Sequence, residues 1–359
     1  MAEVGGHAGG AGQRPGPAPS DLVAALRARL AGAVLADEPL AAHTTLRVGG
    51  PAQALVIAEQ PADLAAVAAV CRSRDAPWLI LGRGSNLLVA DDGWPGVVVR
   101  LGRGFRGVQV EDGAAATGSE VGVLAGAAEP MPVLARVLQQ HALGGLAFGV
   151  AIPGSLGGAV RMNAGAMGAE TADVLDWAEV ANLAAGGTTE RLPAATLDYG
   201  YRRSALPPDA VVVRARLRLR REDPQVLAQQ MRTYKAWRRQ HQPINVPSCG
   251  SVFRNPAGDS AGRLIDTAGG KGLRVGGARI SDVHVNFITV EPGATADDVH
   301  RVIRAVQELV ARRHGVRLCP EVVIAGFGAD APDHGAPDLG APDLGATDAG
   351  IGPATGGSR

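Results

Sequence analysis

The sequence predicts an α/β region followed by an α+β region, arranged as two or three domains. Three observations predict it. Strand and helix patterns alternate as β-α-β up to Leu101, strand patterns dominate after Gly168, and two amphipathic helices lie beyond Asp223. A chain of 359 residues is long enough for that many domains.

The elements follow in order. Ser20 is expected to cap a helix through Leu22, Leu26 and Leu30. Residues 53–60 read as a strand, and Pro61 opens a helix over 61–76. Pro77–Leu81 is a short buried strand feeding Gly82, and Gly96–Leu101 is another. Met131–Ala142 reads as a helix, and Gly149–Gly168 as a glycine-rich loop. Residues 174–184 and 210–221 read as strands. A helix beginning near Asp223 carries Val226, Leu227, Met231, Tyr234 and Trp237 to a basic end at Arg238 and Arg239. The clearest helix is 295–315. Thr295 caps it with Asp298 three residues on, Val299, Val302, Ile303, Val306 and Val310 form one stripe, and Gly315 ends it. Residues 1–19 are rich in Gly, Ala and Pro, and residues 331–350 repeat every five residues with little to bury. Both ends are read as disordered tails.

Composition removes several function classes. Lys plus Arg and Asp plus Glu each number 35, which leaves no electrostatic footprint for nucleic acid or an anionic membrane. Aromatic residues are 3% of the chain, too few for extended base-stacking platforms. Cys71, Cys249 and Cys319 fall in no metal-ligand spacing, so neither a disulfide framework nor a metal site is expected. No apolar run is long enough to span a membrane, and no signal peptide is read at the N-terminus. A cytoplasmic protein is the expectation.

Two stretches begin alike, LGRGSNLLV from Leu81 and LGRGFRGVQV from Leu101. The second is a literal G-x-G-x-x-G, but Val108 and Val110 alternate with polar residues and no helix opens there. A dinucleotide fingerprint needs that helix. The first offers Gly82, Arg83, Gly84, Ser85 and Asn86, a set that serves equally as a tight turn or as an anion-binding nest. A second Gly- and Asn-containing loop follows, with Ile152, Pro153, Gly154, Ser155, Gly157, Gly158, Asn163 and Gly165. Two such loops suit a large cofactor bearing a diphosphate.

The motifs HTTLRVGGPA, LGRGSNLLV, IPGSLGGAVRMNAGAMG, YGYRRS, PSCGSVFRNP, AGRLIDTAGGKGLRVGGARISDVHVNF and LCPEVVIAG occur in that order. In this the chain resembles the UDP-N-acetylenolpyruvoylglucosamine reductases from about Leu40 to Gly326. The resemblance implies an α+β fold. An FAD-binding region of vanillyl-alcohol-oxidase (PCMH) type spans 20–222 in two α/β subdomains split near residue 100, and a substrate-binding domain spans 223–328, with tails at 1–19 and 329–359. It implies non-covalent FAD along both glycine loops, NADPH as co-substrate and reduction of the nucleotide-sugar enolpyruvyl ether. It gives Arg202 and Glu321 the substrate carboxylate charge and Ser251 the proton. Tyr201, Arg239, Asn255 and Lys271 are candidate substrate contacts, Arg239 being equally a cation suited to the end of its helix. Arg238, His284 and Asn286 are further positions that could face substrate or solvent. His43 stands where a related oxidase would carry covalent flavin, which the resemblance does not support. Met167 stands where the family often has tyrosine, and Cys319 where it often has glutamate. No room exists between Arg202 and Ser251 for the tyrosine-bearing insertion of one subgroup. Cys249 and Cys319 each lie two residues from an expected catalytic residue, and two unrelated thiols is preferred to a redox pair. Another flavin oxidase of the same fold, or a non-catalytic nucleotide-sugar binder, are the alternative readings.

Overall fold

The structure, a computed structural model, describes residues 19–111 and 120–328; the expected tails, Pro19 apart, lie outside the described residues. The first unit holds α1 (Pro19–Arg27), β1 (Ala33–Pro39), β2 (Pro51–Ala58), α2 (Pro61–Arg74), β3 (Trp78–Leu81), β4 (Leu87–Val89) and β5 (Trp94–Leu101). The first helix runs from Pro19 to Arg27, short of Leu30. Pro61 is at the start of α2, where Gln60 and Asp63 form a reciprocal capping box and Asp75 ends the helix in the left-handed region. The sheet order is β1-β2-β5-β3, with β2, β5 and β3 parallel and β1 antiparallel at the edge. One face buries Leu22 and Leu26 of α1 and Leu64 and Val67 of α2 against Val56 and Val99.

The second unit runs β6 (Val108–Val110), β7 (Glu120–Gly126), α3 (Met131–Gln140), β8 (Leu143–Gly144), α4 (Leu156–Met162), β9 (Gly165–Ala166), β10 (Ala169–Glu170), β11 (Leu175–Asn182), β12 (Thr188–Pro193) and β13 (Ala210–Arg221). Its antiparallel sheet has the order β12-β11-β13-β7-β6, with β8 also on β13. Alternation along β13 sends Ala215, Leu217 and Leu219 into this unit's core and exposes Arg218 and Arg220, while beyond a register shift Val212 joins the same core and Val211 and Val213 pack with the first unit. Helix α4 lies inside the stretch read as a loop. Gly157 lets it sit close on the sheet, since a Cβ there would lie 3.1 Å from the Ala127 Cβ.

Helix α5 (Pro224–His241) packs Leu227 and Met231 on Ala135, Ala147 and Val150 of the second unit, and the third unit is β14 (Ser248–Ser251), α6 (Ala261–Thr267), β15 (Arg274–Val275), β16 (Ala278–Ile280), β17 (Phe287–Val290), α7 (Ala296–His314) and β18 (Val323–Ala325). Its sheet order is β14-β17-β16-β15, antiparallel throughout. Helix α7 has the expected Thr295–Asp298 box and a left-handed Gly315. Its stripe of Val299, Val302, Ile303, Val306 and Val310 is fully buried.

The chain then returns to its beginning. Strand β18 pairs in parallel with β4, Val323 beside Leu87 and Ala325 beside Val89. The period of two splits this ribbon. Leu87, Val89, Val323 and Ala325 pack on the first sheet, while Leu88 and Ile324 enter the core of the third unit. A three-residue strand thus fixes two units against each other, directly beside the first glycine loop.

Candidate functional site

A cavity of about 2010 Å³ opens where the three units meet. Its lining includes Gly82–Asn86 from the first loop, Ile152–Ser155, Gly157, Gly158 and Gly165 from the second, and Arg202, Ser251, Asn255 and Glu321. That exceeds the roughly 300–1,000 Å³ of a pocket for one small ligand.

The two glycine loops hold each other. Arg83 Nε donates to the Pro153 carbonyl at 3.0 Å, and a Cβ on Gly82 would reach the Ser155 Oγ at 3.0 Å. Gly84 has φ 63°, and a Cβ there would lie 2.1 Å from the His43 carbonyl, so only glycine fits. Among the described residues, the backbone N–H groups of Arg83, Gly84 and Ser85 find no backbone acceptor. Bare N–H groups on a cavity wall are what a diphosphate requires. Gly102, Gly104 and Gly107 do not line the cavity, and the strand β6 follows them.

Arg202, Glu321 and Ser251 arrive from three directions. Gly200 and Arg203 exchange backbone hydrogen bonds across a two-residue turn, and Arg202 sits at its second central position with φ 54°. Its Nε donates to Glu321 Oε1 at 2.9 Å, and its Nη2 to the Gly165 carbonyl at 3.3 Å. Neighbouring Arg203 turns away to pair with exposed Asp198 at 3.2 Å. Glu321 is set by the seam. Its N–H donates to Val252 O at 2.7 Å, and its carbonyl accepts from Asn86 Nδ2 at 3.0 Å. Burial pushes the Glu321 carboxyl upward, against the pull of Arg202 and then Arg254, and burial prevails. Ser251 ends β14 opposite Phe287, just after Gly250 at φ 77°.

The softer positions separate. Asn255 lines the cavity, and its Oδ1 accepts from Ala261 N–H at 3.0 Å. Arg238 lines it, whereas Arg239, Lys271 and Tyr201 do not. The Tyr201 ring instead lies 5.0 Å from the Arg202 guanidinium carbon. Asn163 is fully buried at the left-handed end of α4, holding Ala172 N–H and the Gly200 carbonyl, so it braces the loops from behind. His284 and Asn286 are not on a strand, which begins at Phe287. His284 Nδ1 accepts from Asn286 N–H, and Asn286 bonds both backbone groups of Phe253. The His43 Nδ1 accepts from Arg100 at 3.3 Å and its Nε2 meets Glu38 Oε1 at 2.8 Å, so both ring nitrogens are engaged. Cys249 is buried, its thiol pushed up to about 12, while Cys319 is half-buried with its carbonyl on Arg254 N–H.

Sequence reasoning missed the sign of the cavity. Seven arginines line it, among them Arg47, Arg100, Arg106 and Arg161, against the carboxylates of Asp259 and Glu321. Asp259 is itself paired with Arg263. In a chain of zero net charge, isolated arginines carry no signal until folding gathers them.

Comparison with known proteins decides the family. A family model described as FAD binding domain matches residues 52–192, and one described as UDP-N-acetylenolpyruvoylglucosamine reductase, C-terminal domain, matches 242–325. The UDP-N-acetylenolpyruvoylglucosamine reductase of Bacillus subtilis (strain 168) is 40% identical over 307 residues, covering 85% of this chain and 98% of its own length. The chain belongs to the UDP-N-acetylenolpyruvoylglucosamine reductase family. The reductase of Anaeromyxobacter sp. (strain Fw109-5) is 43% identical over 318 residues, 88% of this chain and 96% of its own. The crystal structure of the reductase from Thermus caldophilus superimposes with a TM-score of 0.67 at 37% identity, covering 82% and 98% of the two chains. Membership in this reductase family makes the chain a flavin oxidoreductase, with the expected α+β fold and FAD-binding region. Among the described residues no helix is long and apolar enough to cross a membrane, and no metal-binding group of His, Cys, Asp and Glu occurs.

Proposed function

We propose that this chain reduces UDP-N-acetylglucosamine enolpyruvate to UDP-N-acetylmuramate, with FAD resident and NADPH as reductant, in cytoplasmic synthesis of the peptidoglycan precursor. The observation that carries the reading is the Arg202–Glu321 pair at 2.9 Å on the wall of a cavity shared with Ser251 and both glycine loops. Gly82–Asn86 and Ile152–Gly158 would hold the FAD diphosphate and flavin, and their paired geometry and bare N–H groups fit such a cofactor. Bound there, FAD would supply two-electron redox chemistry between NADPH and the enolpyruvyl double bond.

The chain's own residues do the rest. Arg202 grips the substrate carboxylate, whose charge grows as the double bond is reduced. Glu321 orients that guanidinium through Oε1. Burial raises its carboxyl while Arg202 and Arg254 oppose that shift, and the Arg202 bond offsets its charge beside a second carboxylate. Ser251 delivers the proton to the neighbouring carbon. Asn255 lies on the same wall as a sugar or base contact. Arg239 and Lys271, away from the cavity, would need closure around substrate to touch it.

The test is spectroscopic. Purified protein with a flavin spectrum should bleach with NADPH without oxygen and recover on adding the enolpyruvyl nucleotide sugar. Bleaching without recovery would move the assignment to another oxidised substrate. A protein that cannot be reconstituted with FAD would sink the cofactor assignment.

A further inference from the structure

The helix α5 carries Val226, Leu227, Met231, Tyr234 and Trp237, as the sequence predicts. Only Leu227 and Met231 are buried, and Val226 is 54% exposed. The remaining aromatic positions serve the cavity. Gln230, Thr233, Tyr234, Trp237, Arg238 and His241 all line it, at the spacing of one helix face. At the end of that face the Trp237 and His241 rings lie parallel, with centroids 4.6 Å apart and planes within 13°.

Each partner is fixed in place. The His241 ring accepts no freedom from its Nδ1, which faces the Trp237 carbonyl at 2.8 Å. Only a protonated Nδ1 can donate there, leaving Nε2 an acceptor in the neutral ring. The Trp237 Nε1–H is buried and finds no acceptor among the described residues, so the indole is not there for its hydrogen bond. Beside the rings, Arg238 is half-buried and tied at Nε to Gln242 Oε1 at 2.8 Å, and burial lowers its pKa. Ile244 and Val246, 40% and 46% exposed, continue an apolar lip into the same cavity. A flat aromatic surface next to a guanidinium that meets no carboxylate among the described residues matches a planar base joined to a phosphate.

We infer that Trp237 and His241 form the base-stacking platform for a nucleotide co-substrate, with Arg238 meeting its phosphate. The inference rests on the function proposed above and deepens it. Residues 193–241 lie between the two segments matched by family models, so the platform belongs to the part of the chain those descriptions leave out. A base laid on the pair continues its stack, which tolerates any base because every base has a π face. The chemistry is shared by the uracil end of the nucleotide sugar and by a base of NADPH.

The test uses the FAD-loaded protein. Wild type, Trp237→Ala and Trp237→Phe are titrated with UDP and, in a second arm, with NADP+, each followed by the change in flavin absorbance. The expected result is a Kd raised at least about tenfold in one arm by Trp237→Ala, with Trp237→Phe within about threefold of wild type. The arm that moves identifies which nucleotide stacks there. Kd values unmoved in both arms overturn the inference, as does a rise in both that Trp237→Phe shares, which marks the ring as structural support. If the wild type reduces the enolpyruvyl substrate while Trp237→Ala binds both nucleotides normally, this inference fails alone. If the wild type performs no such turnover and binds neither nucleotide, the function fails and takes the inference with it.

Discussion

Arg202 occupies a turn position that favours glycine or asparagine, at φ 54°. A left-handed arginine costs about 1–2 kcal/mol, and the return is a guanidinium aimed at Glu321 across the cavity. Replacing it removes both the carboxylate grip and the partner of a buried acid. Arg202→Ala should lower kcat by roughly 10²–10³-fold in steady-state turnover, the range for removing one charge-stabilising donor. Ser251→Ala separates the half-reactions. Reduction of FAD by NADPH should persist in stopped-flow traces, while reoxidation by the enolpyruvyl substrate falls by about 10²-fold or more. Loss of both half-reactions would remove Ser251 from the proton-donor role. Glu321 also carries a pH signature. A carboxyl raised by folding binds its proton more tightly in the native state, so its stabilising contribution is complete below the ordinary value of about 4.5 and is lost as pH rises through the folded value. Relative to Glu321→Gln, wild type should therefore lose stability as pH rises above about 4.5, read from denaturant midpoints across pH.

At the scale of elements, the first glycine loop is held by sterics as much as by sequence. Gly84→Ala would impose a left-handed alanine and drive its Cβ to 2.1 Å from the His43 carbonyl. Gly293 also has positive φ, at 85°, but its Cβ would meet nothing within 4 Å. Gly293→Ala should cost only about 1 kcal/mol, and Gly84→Ala clearly more, with a lower flavin-to-protein absorbance ratio. Equal losses in the two variants would show that the His43 contact yields freely. The same contrast explains what could be read in advance. Strand β13 was legible over 210–221 because its apolar and arginine residues alternate, and α7 because its cap and stripe agree. Strand β1 gave little signal, with only Val34 of its seven residues buried. Helix α4 carries two glycines early, which reads as loop until Ala127 is seen against Gly157. Trp237 and Tyr234 fit an apolar stripe by spacing, and no spacing distinguishes a face on a core from a face on a cavity.

The whole molecule is built so that its site lies on the joints between units. The Gly82–Asn86 loop belongs to the first unit, Ile152–Gly165 and Arg202 to the second, and Ser251 and Glu321 to the third. Local sequence could suggest each part, but their meeting depends on β18 returning to β4, a pairing across more than 230 residues. A ligand spanning such joints contacts units that could otherwise separate, so its binding energy appears directly as stability of the assembled chain. FAD present at about 1,000 times its Kd should add roughly 4 kcal/mol. For a chain of this size that corresponds to a Tm roughly 6 °C higher than in FAD-stripped protein, measured by calorimetry at matched protein concentration. The seam variant Ile324→Ala removes a side chain buried where β18 enters the third core and should cost about 2–5 kcal/mol by itself. It should also reduce the FAD-dependent rise in Tm, because loosening the seam moves Glu321 and the Asn86 end of the loop relative to the second unit. A full FAD-dependent rise in that variant would mean that the cofactor is held by the first two units alone, and that the β4–β18 ribbon serves only to anchor the third.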